Sequence, residues 1–250
     1  MALFATKRRL IAIACIVFLV GVVAKIPAGV ALQFAPELLQ TRGVSGTLWS
    51  GSIDAVAVDG QVAGPLTWQL KPLALLGGAL AADVECSLGD GFFSGGVKLR
   101  GDTVTLTDAK LAAALGDLTR RASIGPSQGV VNATVPLLEM TAQWPTRVDA
   151  QITIKDLQYS GSGPEILGSY RLTFAPDNTS DEWPVVGTIQ SIDGPFNANG
   201  TMSLGDNRSY AIEATVSSTA DASNNLKRSL AVLGPASRDG SHTLTLNGSL

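Results

Sequence analysis

Base catalysis in this 250-residue chain would fall to its single histidine, His242, in the run Gly240-Ser241-His242-Thr243 with Asp239 just ahead of it. A Ser-His-Asp site would need that histidine as its base, and no Gly-x-Ser-x-Gly elbow accompanies it. At a turn entering a final strand, His242 reads as a surface residue. Zinc needs three or four imidazole or thiolate ligands, and one histidine with one cysteine outside the N-terminal apolar run cannot assemble them. Asp83 and Glu85 alternate along one strand, which suits a calcium ligand pair, a glycosidase acid, or more simply the solvent face of Leu80–Leu88. Asp54 and Asp59 read as strand-face and turn residues. Gly89-Asp90-Gly91 and Gly205-Asp206-Asn207 are turns without the spacing of an EF-hand loop. Gly77-Gly78 and Gly95-Gly96 lack the lysine and the strand-to-helix setting of a phosphate loop. The residues thus point to a non-enzymatic chain that calls for no cofactor and no metal.

Four tryptophans remain: Trp49, Trp68, Trp144 and Trp183. Trp68 stands in an apolar row and reads as core, whereas Trp144-Pro145 and Trp183-Pro184 read as strand edges or turns open to a partner.

Leu10–Ala24, LIAIACIVFLVGVVA, is apolar throughout, carries no charge and comes directly after Lys7-Arg8-Arg9. As a helix it spans about 22 Å at a rise of about 1.5 Å per residue, and Lys25 can snorkel while Ile26–Leu32 stays mostly apolar. The basic flank keeps residues 1–9 cytoplasmic and sends the chain beyond Lys25 across the membrane. A cleavable signal peptide shares the basic start, the apolar core and a small-residue ending at Val22-Val23-Ala24. A retained signal-anchor fits the longer core and the valine three residues before that cut. A buried helix of a soluble fold would show a polar stripe, and this one has none. The anchor reading gives residues 10–32 as transmembrane helix and juxtamembrane segment, with 33–250 as a periplasmic β domain.

Four of the 18 basic residues sit at or before Lys25, whereas all 21 acidic ones lie after it, so the exported part is mildly acidic. Such an evenly sprinkled surface offers no electrostatic footprint for nucleic acid or anionic lipid headgroups. Charged residues make up 16% against roughly 25% in ordinary soluble domains, and there are 27 glycines. Cys15 lies within the apolar run and Cys86 outside it, which excludes a disulfide framework within one chain. After Pro27, period-2 alternation dominates: Leu66-x-Trp68-x-Leu70, then Leu80, Ala82, Val84, Cys86 and Leu88, then Phe93 to Leu99. The second half continues with Val131–Leu137, Val148–Ile154, Ile166-x-Gly168-x-Tyr170-x-Leu172-x-Phe174, Phe196–Leu204 and Tyr210–Val216. Turns of Gly, Asp and Pro between these runs predict an all-β, mainly antiparallel meander, as a curved sheet, a sandwich or an open barrel. Asp108–Leu118 and Ser223–Leu233 carry leucines at helical spacing and predict two short helices.

Val44-Ser45-Gly46-Thr47-Leu48-Trp49-Ser50-Gly51, after a short apolar helix, resembles the N-terminal hallmark of the type II secretion system protein N family. So does Leu66-Thr67-Trp68-Gln69-Leu70-Lys71-Pro72, where that family runs an apolar-x-Trp-x-apolar strand into a Leu-rich segment. Leu230-Ala231-Val232-Leu233-Gly234-Pro235 and the ending Asn247-Gly248-Ser249-Leu250 are similar to its C-terminal part, with serine in the last strand where the family often has arginine. The resemblance marks Val44, Ser45, Gly46, Thr47, Leu48, Trp49, Gly51, Trp68, Leu70, Leu233, Gly234 and Gly248. It implies an inner-membrane protein with one helix and a periplasmic β domain, an accessory in the export of folded proteins, meeting other inner-membrane subunits of that machine. The family has no catalytic residues to carry over. A lipid-binding or lipid-transfer protein with an apolar β-groove is the alternative, separated from a scaffold by whether Leu66, Trp68, Leu80, Val84, Tyr170 and Phe174 are covered or left as an open trough.

Overall fold

The computed structural model describes residues 25–32, 39–58, 61–116, 127–159, 165–177, 179–180, 182–230 and 235–249. Leu10–Ala24 and Asp59 lie outside these, and among the described residues no helix is long and apolar enough to cross a membrane. The chain divides into two compact units, residues 1–87 and 88–250.

The first unit begins with a five-residue helix, α1 (Ala28–Leu32), and continues in five antiparallel strands. These are β1 (Leu39–Gly46), β2 (Ser50–Val58), β3 (Gln61–Ala63), β4 (Leu66–Leu70) and β5 (Leu80–Leu88), with α2 (Pro72–Leu76) between the last two. β2 takes β1 on one edge and β4 on the other, while β3 pairs with its outer end. β5 lies against β4 with Trp68 opposite Val84. In β4 the predicted alternation holds: Leu66, Trp68 and Leu70 are half-buried, and Thr67 and Gln69 are exposed. Leu80, read from the pattern as inward, is 46% exposed, because it begins β5 at the turn that follows α2.

The second unit is an uninterrupted meander: β6 (Gly91–Arg100), β7 (Thr103–Ala114), β8 (Ser127–Thr141), β9 (Trp144–Tyr159), β10 (Glu165–Phe174), β11 (Val185–Asp193), β12 (Phe196–Leu204) and β13 (Ser209–Ser218). Helix α3 (Asn224–Leu230) precedes the last strand, β14 (His242–Ser249), which pairs with β13. Every neighbouring pair from β6 to β14 is antiparallel and consecutive in sequence.

Of the helix expected over Asp108–Leu118, residues Asp108–Ala114 are strand instead, Leu115 and Gly116 are helical, and Asp117 and Leu118 lie outside the described residues. Thr103–Ala114 is strand, paired with β6 on one side and β8 on the other. The leucine spacing that suggests a helix competes with the two-residue alternation of Ala109, Leu111 and Ala113, and the alternation wins because both ladders use it; Ala109 and Ala113 are buried. A bulge at Asp108, with φ of 50°, adds one residue to β7 opposite Gly95. The second expected helix is present as α3. Ser223 caps it, its hydroxyl accepting from the Leu226 N–H at 3.2 Å.

Two apolar clusters hold the β8–β13 region. Ala150, Phe174, Val185 and Leu204 form one, with Val135, Trp144, Val148, Ile152, Leu172, Met202 and Tyr210 against it. The other lies at the opposite strand ends, where Leu226 and Leu230 of α3 close over Phe196 beside Leu167 and Val216. Leu167 stands there in place of Ile166, which the simple alternation puts inward and which is 60% exposed. Register shifts on either side of Gly168, at φ 103°, reverse the phase of β10, so Ser169 turns inward and its hydroxyl accepts from the Asp156 N–H at 3.2 Å. Tyr170 donates from its hydroxyl to the Leu167 carbonyl at 2.6 Å; burial, and secondarily the charge of Asp193, pushes its phenol up.

Candidate interaction surface

The residues Val44 to Gly51 make the β1–β2 hairpin and its tip. Val44 faces Ile53 and Ser45 faces Ser52 across the ladder, with the two serine hydroxyls 2.8 Å apart. Gly46 turns the chain at φ 91°; a side chain there would meet the Ser50 carbonyl at 2.5 Å. Thr47 closes the tip by donating its N–H to the Ser50 carbonyl at 2.8 Å. Two other segments, Ile26-Pro27 and β4, then fasten to these few residues. The Leu48 N–H donates to the Ile26 carbonyl at 2.8 Å, and Pro27 bridges to Thr47. The Leu48 carbonyl accepts the Trp68 indole N–H at 3.0 Å. The Trp49 carbonyl accepts from the Leu70 N–H at 2.7 Å.

Gly51 completes the arrangement, because the Trp68 ring lies where its side chain would be, 2.4 Å from an added Cβ. The tryptophan read as core is thus half-buried and bonded at its polar edge, as a packed indole ordinarily is. Val44, Ser45, Gly46, Thr47, Leu48, Trp49, Gly51, Trp68 and Leu70 form one connected knot. Leu233 and Gly234 lie outside the described residues. Gly248 is far along the sequence, opposite Tyr210 on β14, with the phenol ring against its Cα.

Beside the knot is a feature that the sequence pattern shows only as a Leu-rich segment. From β4, Lys71 donates its N–H to the Ala81 carbonyl at 2.7 Å, and the chain between them loops out through α2. No residue of α2 is buried. Leu73 is 79% and Leu76 87% exposed, with Leu75 and Leu80 about half exposed. At the stem, Lys71 Nζ pairs with Asp83 at 2.7 Å, so Asp83 is engaged on the strand face beside exposed Glu85. The signal that could have found this turn is nine successive residues, Pro72–Leu80, without one charge.

Trp144 does not stand open at an edge: it packs on the Phe174 cluster and donates its indole N–H to the Gly205 carbonyl at 2.8 Å. Among the described residues no group of three or more His, Cys, Asp or Glu side chains gathers as a metal site would require. An open cleft of about 610 Å³ beside α3 is lined by Glu165, Ile166, Gly194, Pro195, Asp221 and Leu226 among others. Asp239 accepts from the Ser241 hydroxyl at 2.7 Å and the Ser241 N–H at 3.1 Å, which holds its carboxyl below the ordinary carboxylate value. A depressed value in the folded turn favours that turn at neutral pH and withdraws the favour as pH falls through the depressed value. The Ser241 amide resonance is therefore expected to titrate below the ordinary aspartate range. Asp239→Asn should remove that step from the NMR titration.

No solved structure matches this chain. One curated relative, the type II secretion system protein N of Vibrio cholerae serotype O1, is 41% identical over 75 residues, which span 29% of this chain and 30% of that protein. The aligned stretch is therefore less than a third of the relative's own length. The family description "Type II secretion system (T2SS), protein N" matches residues 37–245, taking in the whole hairpin knot, α2 and Leu233-Gly234, and ending before Gly248. With more than four-fifths of its residues matched in one alignment, the chain belongs to the type II secretion system protein N family.

Proposed function

We propose that this chain is a non-enzymatic accessory subunit of the type II secretion machinery. Leu10–Ala24 holds it in the bacterial inner membrane, and residues 33–250 work in the periplasm through contacts with other inner-membrane subunits. The observation that carries this is the placing of the family match: it begins at residue 37, just after an apolar run with a basic leading flank. The hairpin knot supports it, since Ile26 and Pro27, at the outlet of that run, are hydrogen-bonded into the tip of the β1–β2 hairpin. A β unit fastened so near its anchor is presented close to the membrane, where neighbouring single-pass subunits carry their own exported parts.

A second reading has one observation in its favour. Leu66, Trp68, Val84 and Tyr170 are half-buried, and no large described side chain is wholly enclosed, so much of the inward apolar surface has only partial cover. Acyl chains of a bound lipid could supply the rest.

The test is an alkaline-phosphatase fusion after Leu250, combined with mass spectrometry of the detergent-solubilised chain for both proteins and lipids. Active phosphatase with co-purifying secretion subunits is the expected result. An inactive reporter sinks the topology. Phospholipid at near one-to-one, with no secretion subunit, replaces the scaffold reading with the lipid one.

A further inference from the structure

We propose that the α2 turn is a second membrane contact, with Leu73 and Leu76 entering the outer face of the same bilayer that Leu10–Ala24 crosses. This rests on the anchor reading above. The argument starts from where the chain emerges. Ala24 ends the apolar run and Ile26 is two residues later, at most about 7 Å of extended chain away. Ile26 is fixed by its carbonyl to the Leu48 N–H, and Pro27 by its bridge to Thr47. Within the same tip the Trp49 carbonyl holds the Leu70 N–H, and Lys71, the next residue, is the stem of the turn. The outlet of the anchor and the base of the turn are thus joined through three consecutive residues, 47 to 49, on one end of the first unit.

Composition selects lipid as the occupant. Pro72–Leu80 contains no charged or hydrogen-bonding side chain, and its two most exposed leucines are 79% and 87% exposed. A protein interface normally rings its apolar centre with polar groups, whereas a bilayer asks only for apolar tips with charge at the stem. Here the stem carries Lys71, half exposed beside Asp83, which can reach the headgroups. Half-buried Trp49 is at the same level, the position aromatic residues favour at a membrane surface. Gly77 and Gly78 return the chain, with open space around Gly78. With one helix alone a β unit would swivel about its tether. Two contacts fix its tilt.

The full chain is reconstituted in phosphatidylethanolamine–phosphatidylglycerol vesicles in a Cys15→Ser, Cys86→Ser background. An environment-sensitive fluorophore is attached through Leu76→Cys or, as reference, through Glu85→Cys on β5, and quenched with spin-labelled lipid. Quenching at position 76 at least about five-fold above position 85, with blue-shifted emission, is the expected result; Leu73→Asp should lower it toward the reference. An alkaline wash of the same vesicles separates the two claims. If the chain stays in the membrane but position 76 is no better quenched than position 85, the insertion is overturned and the anchor stands. If the chain washes off and position 76 is unquenched, both fall. A blue shift that appears only in native membranes carrying the secretion machinery identifies a protein occupant and overturns the lipid contact.

Discussion

Gly51→Ala is expected to loosen the hairpin knot and lower the urea midpoint of the detergent-solubilised chain, read by tryptophan fluorescence. The added Cβ would stand 2.4 Å from Trp68 Cζ2 and 2.7 Å from the Ser45 carbonyl oxygen. The ring can swing away, but the carbonyl belongs to the facing strand and cannot. Swinging the ring also breaks the 3.0 Å bond from its indole N–H to Leu48. Overpacking costs about 1–3 kcal/mol and the lost bond about 1 kcal/mol, so a total of about 3 kcal/mol is expected. Gly29→Ala is the control, since its Cβ meets nothing within 4 Å, and it should change stability by less than about 1 kcal/mol. An unchanged midpoint for Gly51→Ala would mean that the Trp68 ring does not lie against Gly51.

Phe174→Ala should produce the largest loss in the second unit. Phe174 is 7% exposed at the centre of the cluster with Ala150, Val185 and Leu204. Truncating a buried phenylalanine costs about 3–5 kcal/mol, the range reflecting how far the surroundings collapse. Gly187 supplies an internal check. Its Cβ would fall 2.6 Å from the Phe174 ring, so Gly187→Ala destabilises the native chain. Once the ring is gone that methyl enters the vacated space, and Gly187→Ala in the Phe174→Ala background should be neutral or stabilising. A double-mutant cycle measures the reversal directly, and two additive losses would refute the contact.

The all-β meander is legible in the sequence because alternation and turn chemistry act locally, residue by residue. Leu66-x-Trp68-x-Leu70 shows its half-buried face as written. What the pattern misses are departures from strict period two. The bulge at Asp108 and the register shifts around Gly168 depend on how the neighbouring strand is aligned, which the periodicity within one strand does not record. For the same reason LAAAL within Asp108–Leu118 reads as a helix until two neighbouring strands claim its backbone. The hairpin knot is visible as residues but not as a junction. Nothing in Val44–Gly51 announces that its carbonyls receive donors from Trp68 and Leu70, or that Leu48 donates back to Ile26. Leu80 is misread as inward because an apolar alternation ordinarily signals burial.

From β6 to β14 each strand lies beside its immediate predecessor in sequence. Such an order suits a polypeptide delivered from its N-terminus. A strand that has just appeared finds its template already in place, and no early strand must wait with a bare edge for a partner still to be made. The growing margin of the sheet is then the edge left open for the next strand, and it is covered again as soon as the next 12 to 16 residues of β7, β8 or β9 arrive. Assembly proceeds like a zip closing at the pace of its supply.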